Sequence, residues 1–142
     1  EDLKPSHIKT IILLGRMRDI PAGHPVVKQG EFGKSMYLIL EGEATISVKD
    51  KQETKEVVVS KLGPGEVYGE LSLIDPGPRS ANLKAITEVR CIEFDWEGLV
   101  RMRKYYPRIS ADFMINLSRI LGSRLTDANK TIIAHKLNPL IQ

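Results

Sequence analysis

Apolar side chains recur at Ile8, Ile11, Ile12, Leu14 and Met17, so residues 6–18 read as one face of a helix, with Ser6 placed as its N-cap. The period then changes. Ala44, Ile46 and Val48 alternate with Glu43, Thr45, Ser47 and Lys49, the pattern of a strand with one buried face. Residues 57–59, Ala81-Leu83-Ala85 and residues 92–94 supply further short strands, and residues 36–40 form the longest uninterrupted apolar run. Eight of the eleven glycines lie between Gly23 and Gly77, so turns recur roughly every eight to twelve residues, as in an antiparallel barrel or jelly roll. From Trp96 helical spacing returns through Met114, Leu117, Leu121, Leu125, Ala128 and Ile132. Pro107 fits the first turn of that helix, and Pro139 lies just past its expected end near Leu137. Ile109, Phe113, Ile120 and Ile133 fall off the main stripe, which gives this helix more apolar surface than one small roll needs. The predicted fold is α+β: an N-terminal helix, a double-stranded antiparallel β-roll (jelly roll) over about 19–95, and C-terminal helices over about 96–137, one domain from 1 to 142.

Composition narrows the class. A chain of 142 residues, 42% hydrophobic and 27% charged, has the balance of one globular domain and excludes a disordered tail, a coiled-coil rod and a repeat array. No apolar run approaches the roughly 20 residues of a membrane-spanning helix, and nothing resembles a signal peptide. Cys91 is the lone cysteine, so no internal disulfide is available and a cytoplasmic address is expected. The first residue is Glu rather than Met, as in a domain cut from a longer protein. Residues 1–95 hold 13 Lys/Arg against 15 Asp/Glu, whereas residues 96–142 hold 8 against 3. The basic half reads as a solvated helix face: Arg101, Arg103, Lys104 and Arg108 have only Tyr105 and Tyr106 as stacking platforms beside them.

The segment 65–85 carries the chemistry. Tyr68-Gly69 ends a strand, and Glu70 to Ile74 can make one short helical turn whose free N–H groups suit an anionic oxygen. Nine residues after Glu70 comes Arg79, whose guanidinium can grip two phosphate oxygens at once. Glu70 would repel such a phosphate, so its carboxylate suits a different part of the ligand, such as ribose hydroxyls.

Gly69-Glu70-Leu71-Ser72-Leu73 followed by Pro78-Arg79-Ser80-Ala81 resembles the phosphate-binding cassette of cyclic nucleotide-binding domains. The turn Gly63-Pro64-Gly65, residues 29–33 and residues 37–43 are similar to the same family, so the likeness covers nearly the whole chain. It implies that Arg79 binds the exocyclic phosphate oxygens, that Glu70 accepts from the ribose 2′-hydroxyl, and that N–H groups near Leu71, Ser72 and Ser80 complete the anion site, with Gly69 opening the helix. Ser72 stands where the family commonly has Ala or Gly, and Asn82 where it often has Thr; neither removes a needed donor. Ser80 fits cAMP better than cGMP as the ligand. The family covers the base with the C-terminal helix, which nominates Arg124, Ala128 and Asn129, from the same chain or a partner in a homodimer.

Other chemistry is not supported. His7, His24 and His135 sit singly on different segments, unlike the clustered ligands of a metal site. Gly33-Lys34-Ser35 imitates the end of a phosphate-binding loop, but Lys28 occupies the position of the first glycine, so it reads as a turn. Cys91 reads as a buried structural thiol. With no acid/base pair or triad, the chain is expected to be no enzyme and to need no cofactor. Only residues 138–142 follow Leu137, so direct nucleic-acid binding by this chain is not expected. The remaining alternatives are a roll kept as an interaction or dimerisation scaffold without nucleotide, and the sensor portion of a larger transcription factor, channel or enzyme.

Overall fold

In the computed structural model, which describes residues 3–50, 52 and 55–137, the first element is α1 (Pro5–Leu14). The side chains of Arg124 and His135, both named above, lie outside the described residues. Proline at the first helical position brings its φ already set and an N–H whose loss costs nothing, so the helix begins ahead of Ser6, with Lys4 as its N-cap. It also ends early. The Gly15 N–H closes the last turn on the Ile11 carbonyl at 2.8 Å, and the chain enters β1 (Arg16–Ile20). Met17 is therefore a half-exposed strand residue, not part of the helix, and the roll begins at Arg16 rather than Asp19. Pairing decided this: β1 runs antiparallel to β10 (Val89–Asp95), from Arg16 opposite Glu93 to Ile20 opposite Val89.

Between them come β2 (Pro25–Val27), β3 (Phe32–Gly33), β4 (Ser35–Glu41), β5 (Ala44–Lys49), β6 (Glu56–Leu62), β7 (Val67–Tyr68), the short helix α2 (Glu70–Ile74), β8 (Gly77–Pro78) and β9 (Asn82–Ala85). They form one sheet in the order β1-β10-β4-β7, a second in the order β2-β9-β5-β6, and a small ladder of β3 with β8. Every pairing is antiparallel. The apolar run 36–40 becomes β4, which is buried on both faces. Tyr37 and Ile39 enter the core between the sheets with Leu83, Val89 and Cys91; Met36 and Leu38 enter a second core beneath the helices with Ile92, Phe94 and Leu73.

That second core is closed by α3 (Trp96–Tyr105) and α4 (Pro107–Leu137). The Asp95 carboxylate caps α3 by accepting the Gly98 N–H at 3.0 Å, and Pro107 takes the first position of α4. The buried face of α4 is Ser110, Phe113 and Leu117, with Met114 half-buried beside them. Phe113, placed off the stripe by its spacing, is thus at the centre: it meets Phe94 and His7 edge-on, at 6.2 and 5.6 Å between centroids. Lys4 and the fully buried His7 both reach Asp112, at 2.8 and 3.0 Å, joining α1 to α4. Beyond Leu117 the helix leaves the core, and Leu121, Leu125 and Ile132 are exposed. No described helix is long and apolar enough to cross a membrane.

Candidate functional site

Gly69 turns the chain from β7 into α2 with φ +77°, a region that residues bearing a Cβ avoid. A Cβ there would also stand 2.5 Å from Arg79 Nη1, and a Cβ on Gly33 would overlap the same guanidinium. The two glycines leave room for one arginine. Its backbone is held on both sides: the Arg79 N–H donates to the Glu31 carbonyl, and its own carbonyl accepts the Gly30 N–H, each at 2.8 Å.

The side chain that enters this space is buried, with 6% of Arg79 exposed. Its Nη2 donates to Ser35 Oγ at 3.3 Å, and its guanidinium carbon lies 5.6 Å from the ring centres of Tyr37 and of Tyr68. Nη1 is buried without a hydrogen-bond partner. An unmet donor in the interior costs about 1–3 kcal/mol, more for a charged group, so the arrangement is set for an acceptor. The flanking rings attract the cation without using its N–H groups. Burial pushes the phenols of Tyr37 and Tyr68 upward, which keeps both rings neutral beside it.

Arg79 faces a cavity of about 370 Å³, lined by residues 69–72 and 79–81, with Ile46, Val67 and Tyr68 on its walls. The structure therefore brings Gly69, Glu70, Leu71, Ser72, Arg79 and Ser80 together. Glu70 is almost fully buried in the first turn of α2, where a negative charge is favoured. The Ser72 N–H already donates to the Gly69 carbonyl at 3.0 Å, whereas the first N–H groups of any α-helix lack an intrahelical acceptor. Ala128 and Asn129 are exposed on α4 and do not line the cavity, because the part of α4 on the roll ends near Leu117.

Sequence reasoning missed Ser35 and Glu93. The Ser35 hydroxyl donates to Glu93 Oε2 at 3.0 Å, and Glu93 Oε1 takes Arg16 Nη2 at 2.8 Å and lies 3.6 Å from Arg18 Nη1. Burial works against ionising this carboxyl, but hydrogen bonds from Arg16 and Ser35 and the two arginine charges outweigh it, holding its pKa below the usual range. A carboxylate between Ile92 and Phe94 in an apolar strand was the visible sign. Ser35 was hidden because it opens a strand buried on both faces. Among the described residues, no group of three or more His, Cys, Asp or Glu is placed to hold a metal ion.

Fold and cavity define the class: an antiparallel roll that aims a buried cation at a pocket opened by a helix start. The sequence model of the cyclic nucleotide-binding domain matches residues 17–106, and the chain belongs to that family. It is 32% identical over 93% of its length to a CRP-like cAMP-activated global transcriptional regulator of Mycobacterium tuberculosis, and covers 57% of that protein. It is 43% identical over 107 residues to a cAMP-dependent protein kinase type II regulatory subunit of Drosophila melanogaster, covering 72% of this chain and 28% of the other. The crystal structure of the Thermus thermophilus catabolite activator protein superposes with a TM-score of 0.79 at 28% identity, over 94% of this chain and 61% of that one. The chain thus spans a little over half the length of the bacterial regulators it matches.

Proposed function

We propose that the chain is a cyclic nucleotide sensor, a non-catalytic binding module whose ligand is cAMP in preference to cGMP. The observation that carries the reading is Arg79, a buried cation that lines a cavity together with Glu70 and whose Nη1 has no hydrogen-bond partner. In this reading Arg79 and N–H groups near Leu71 and Ser80 hold the cyclic phosphate, the Ser72 N–H being already bonded to the Gly69 carbonyl, and the Glu70 carboxylate accepts the ribose 2′-hydroxyl. The preference for cAMP is supported by Ser80 and by relatives named for cAMP. Asn129 and Arg124 meet the base when α4 moves over the roll, in the same chain or a second copy, and the working form is a homodimer in the cytoplasm. A ligand can shift such an equilibrium only by its difference in affinity for the two helix positions, about 1–3 kcal/mol in known couplings.

Calorimetric titration of nucleotide-stripped protein with cAMP and then cGMP tests the reading. Micromolar or tighter binding is expected, tighter for cAMP. Arg79→Ala weakens it about a hundredfold or more, as a desolvated phosphate loses its charged partner. Glu70→Ala weakens it about tenfold and reduces discrimination against a 2′-deoxy ligand. No heat with either nucleotide from folded, ligand-free protein overturns the sensor and leaves the roll as an interaction scaffold.

A further inference from the structure

Three strands bring to Arg79 a chain of polar contacts from residues that do not line the cavity. We propose that Glu93, acting through the hydroxyl of Ser35, is the positioning residue for Arg79, fixing which edge of the guanidinium is offered to the ligand's phosphate; this rests on the cyclic-nucleotide reading above. A serine hydroxyl has one proton and two lone pairs. Here the proton is committed to Glu93 Oε2 at 3.0 Å, so Ser35 Oγ shows Arg79 Nη2 only a lone pair, at 3.3 Å. The carboxylate thereby sets the polarity of the hydroxyl and strengthens it as an acceptor. Without it the hydroxyl could turn its proton toward the cation.

Glu93 is itself fixed from the far side. Arg16, its direct partner in the β1–β10 register, donates to Oε1, and Arg18 approaches the same oxygen. Arg18 Nη1 also reaches the Tyr37 hydroxyl at 3.4 Å, and the Tyr37 ring is one of the two that flank Arg79. The negative charge of Glu93 is thus balanced by arginines of β1, and no ion pair joins it to Arg79. This separation matters for an anion receptor. A carboxylate touching Arg79 would compete with the phosphate, whereas an intervening hydroxyl passes on orientation and leaves the cation's attraction for the ligand. Ser35 takes one of the Nη2 hydrogens, and Nη1, which has no partner, stays among the donors left for the ligand.

The test is cAMP titration of the wild type, Ser35→Ala, Ser35→Thr and Glu93→Gln, each also in an Arg79→Lys background, with guanidinium ¹⁵N NMR of Arg79 in the free proteins. Ser35→Ala should weaken binding about five- to thirtyfold, less than the loss of Arg79 itself. Ser35→Thr, which keeps the hydroxyl, should stay within about threefold of the wild type. In the Arg79→Lys background Ser35→Ala should cost nothing further, since the residue it acts through is gone. The Arg79 Nη signals, separate in the wild type because rotation is hindered, should merge in Ser35→Ala. Should Ser35→Ala fail to fold, the nearly isosteric Glu93→Gln carries the same comparisons. Wild-type binding with unchanged affinity in Ser35→Ala and Glu93→Gln, or the same loss in both backgrounds, overturns the relay and leaves the nucleotide reading standing. A wild type that binds neither cyclic nucleotide overturns both.

Discussion

Arg79 and Cys91 lie within the same roll, and burial asks opposite things of them. The arginine cannot shed its proton, so the interior supplies two aromatic faces and a hydroxyl to hold the charge. The thiol can remain neutral, and burial pushes its pKa from the ordinary 9.0 up to about 11. Folded protein therefore holds this proton more tightly than unfolded protein. Below pH 9 the thiol is protonated in both states and its contribution is whole. Between about pH 9 and 11 the unfolded thiol ionises first and stability falls, by roughly 2–3 kcal/mol for a two-unit shift. Cys91→Ala should remove this alkaline limb, apart from its own constant packing cost. Urea unfolding of both proteins from about pH 8 to 11 reads the difference. Tyr37 and Tyr68 titrate in both and cancel, so parallel profiles would show that the thiol does not carry the effect.

At the scale of the element, α4 is two helices in energetic terms. Its first turns press Phe113 against Phe94 and His7 at zero exposure, whereas Leu125 is 64% exposed. Phe113→Ala should cost about 3–5 kcal/mol, as for other buried aromatic truncations, while Leu125→Ala should stay within about 0.5 kcal/mol for the isolated chain. Equilibrium urea unfolding separates the two, and similar costs would refute the division. The same helix shows what the sequence makes legible. Its existence was plain from spacing and from Pro107, but spacing puts Leu125 on the main stripe and Phe113 off it because it cannot see where α1 and α3 stop. β5 was legible because its two faces differ. β4 was not, since cores on both sides erase alternation and with it the facing of Ser35 toward Arg79. Met17 was drawn into α1 by an apolar side chain at helical spacing, although pairing with Ile92 commits it to β1. Glu70 and Arg79 were legible because two short motifs at the right separation leave little room for coincidence, whereas Glu93 acts through contacts that cross three strands and leave no local pattern.

For the whole molecule, the second half of α4 raises the question of what supports it. A helix of 31 residues is about 46 Å long, and its buried side chains end at Leu117. Most helical stability in proteins comes from packing of an apolar face, so an exposed half bearing Leu121, Leu125, Ile132 and Ile133 would gain from a second surface like itself. A two-fold axis beside α4 would supply that surface with one interface, since the same stripe would serve both copies. Sedimentation at micromolar concentration should then give a dimer, and Leu125→Glu combined with Ile132→Glu should give a folded monomer. Both positions lie outside the core, so the variant should keep its unfolding profile apart from the concentration dependence that dimerisation adds. If α4 also meets the ligand, linkage requires that nucleotide shift the dimer constant by the same factor by which dimerisation shifts nucleotide affinity. Measuring both on the same protein closes the cycle. A monomer with and without nucleotide removes the partner from the mechanism, and the base would then have to be covered by the α4 of its own chain.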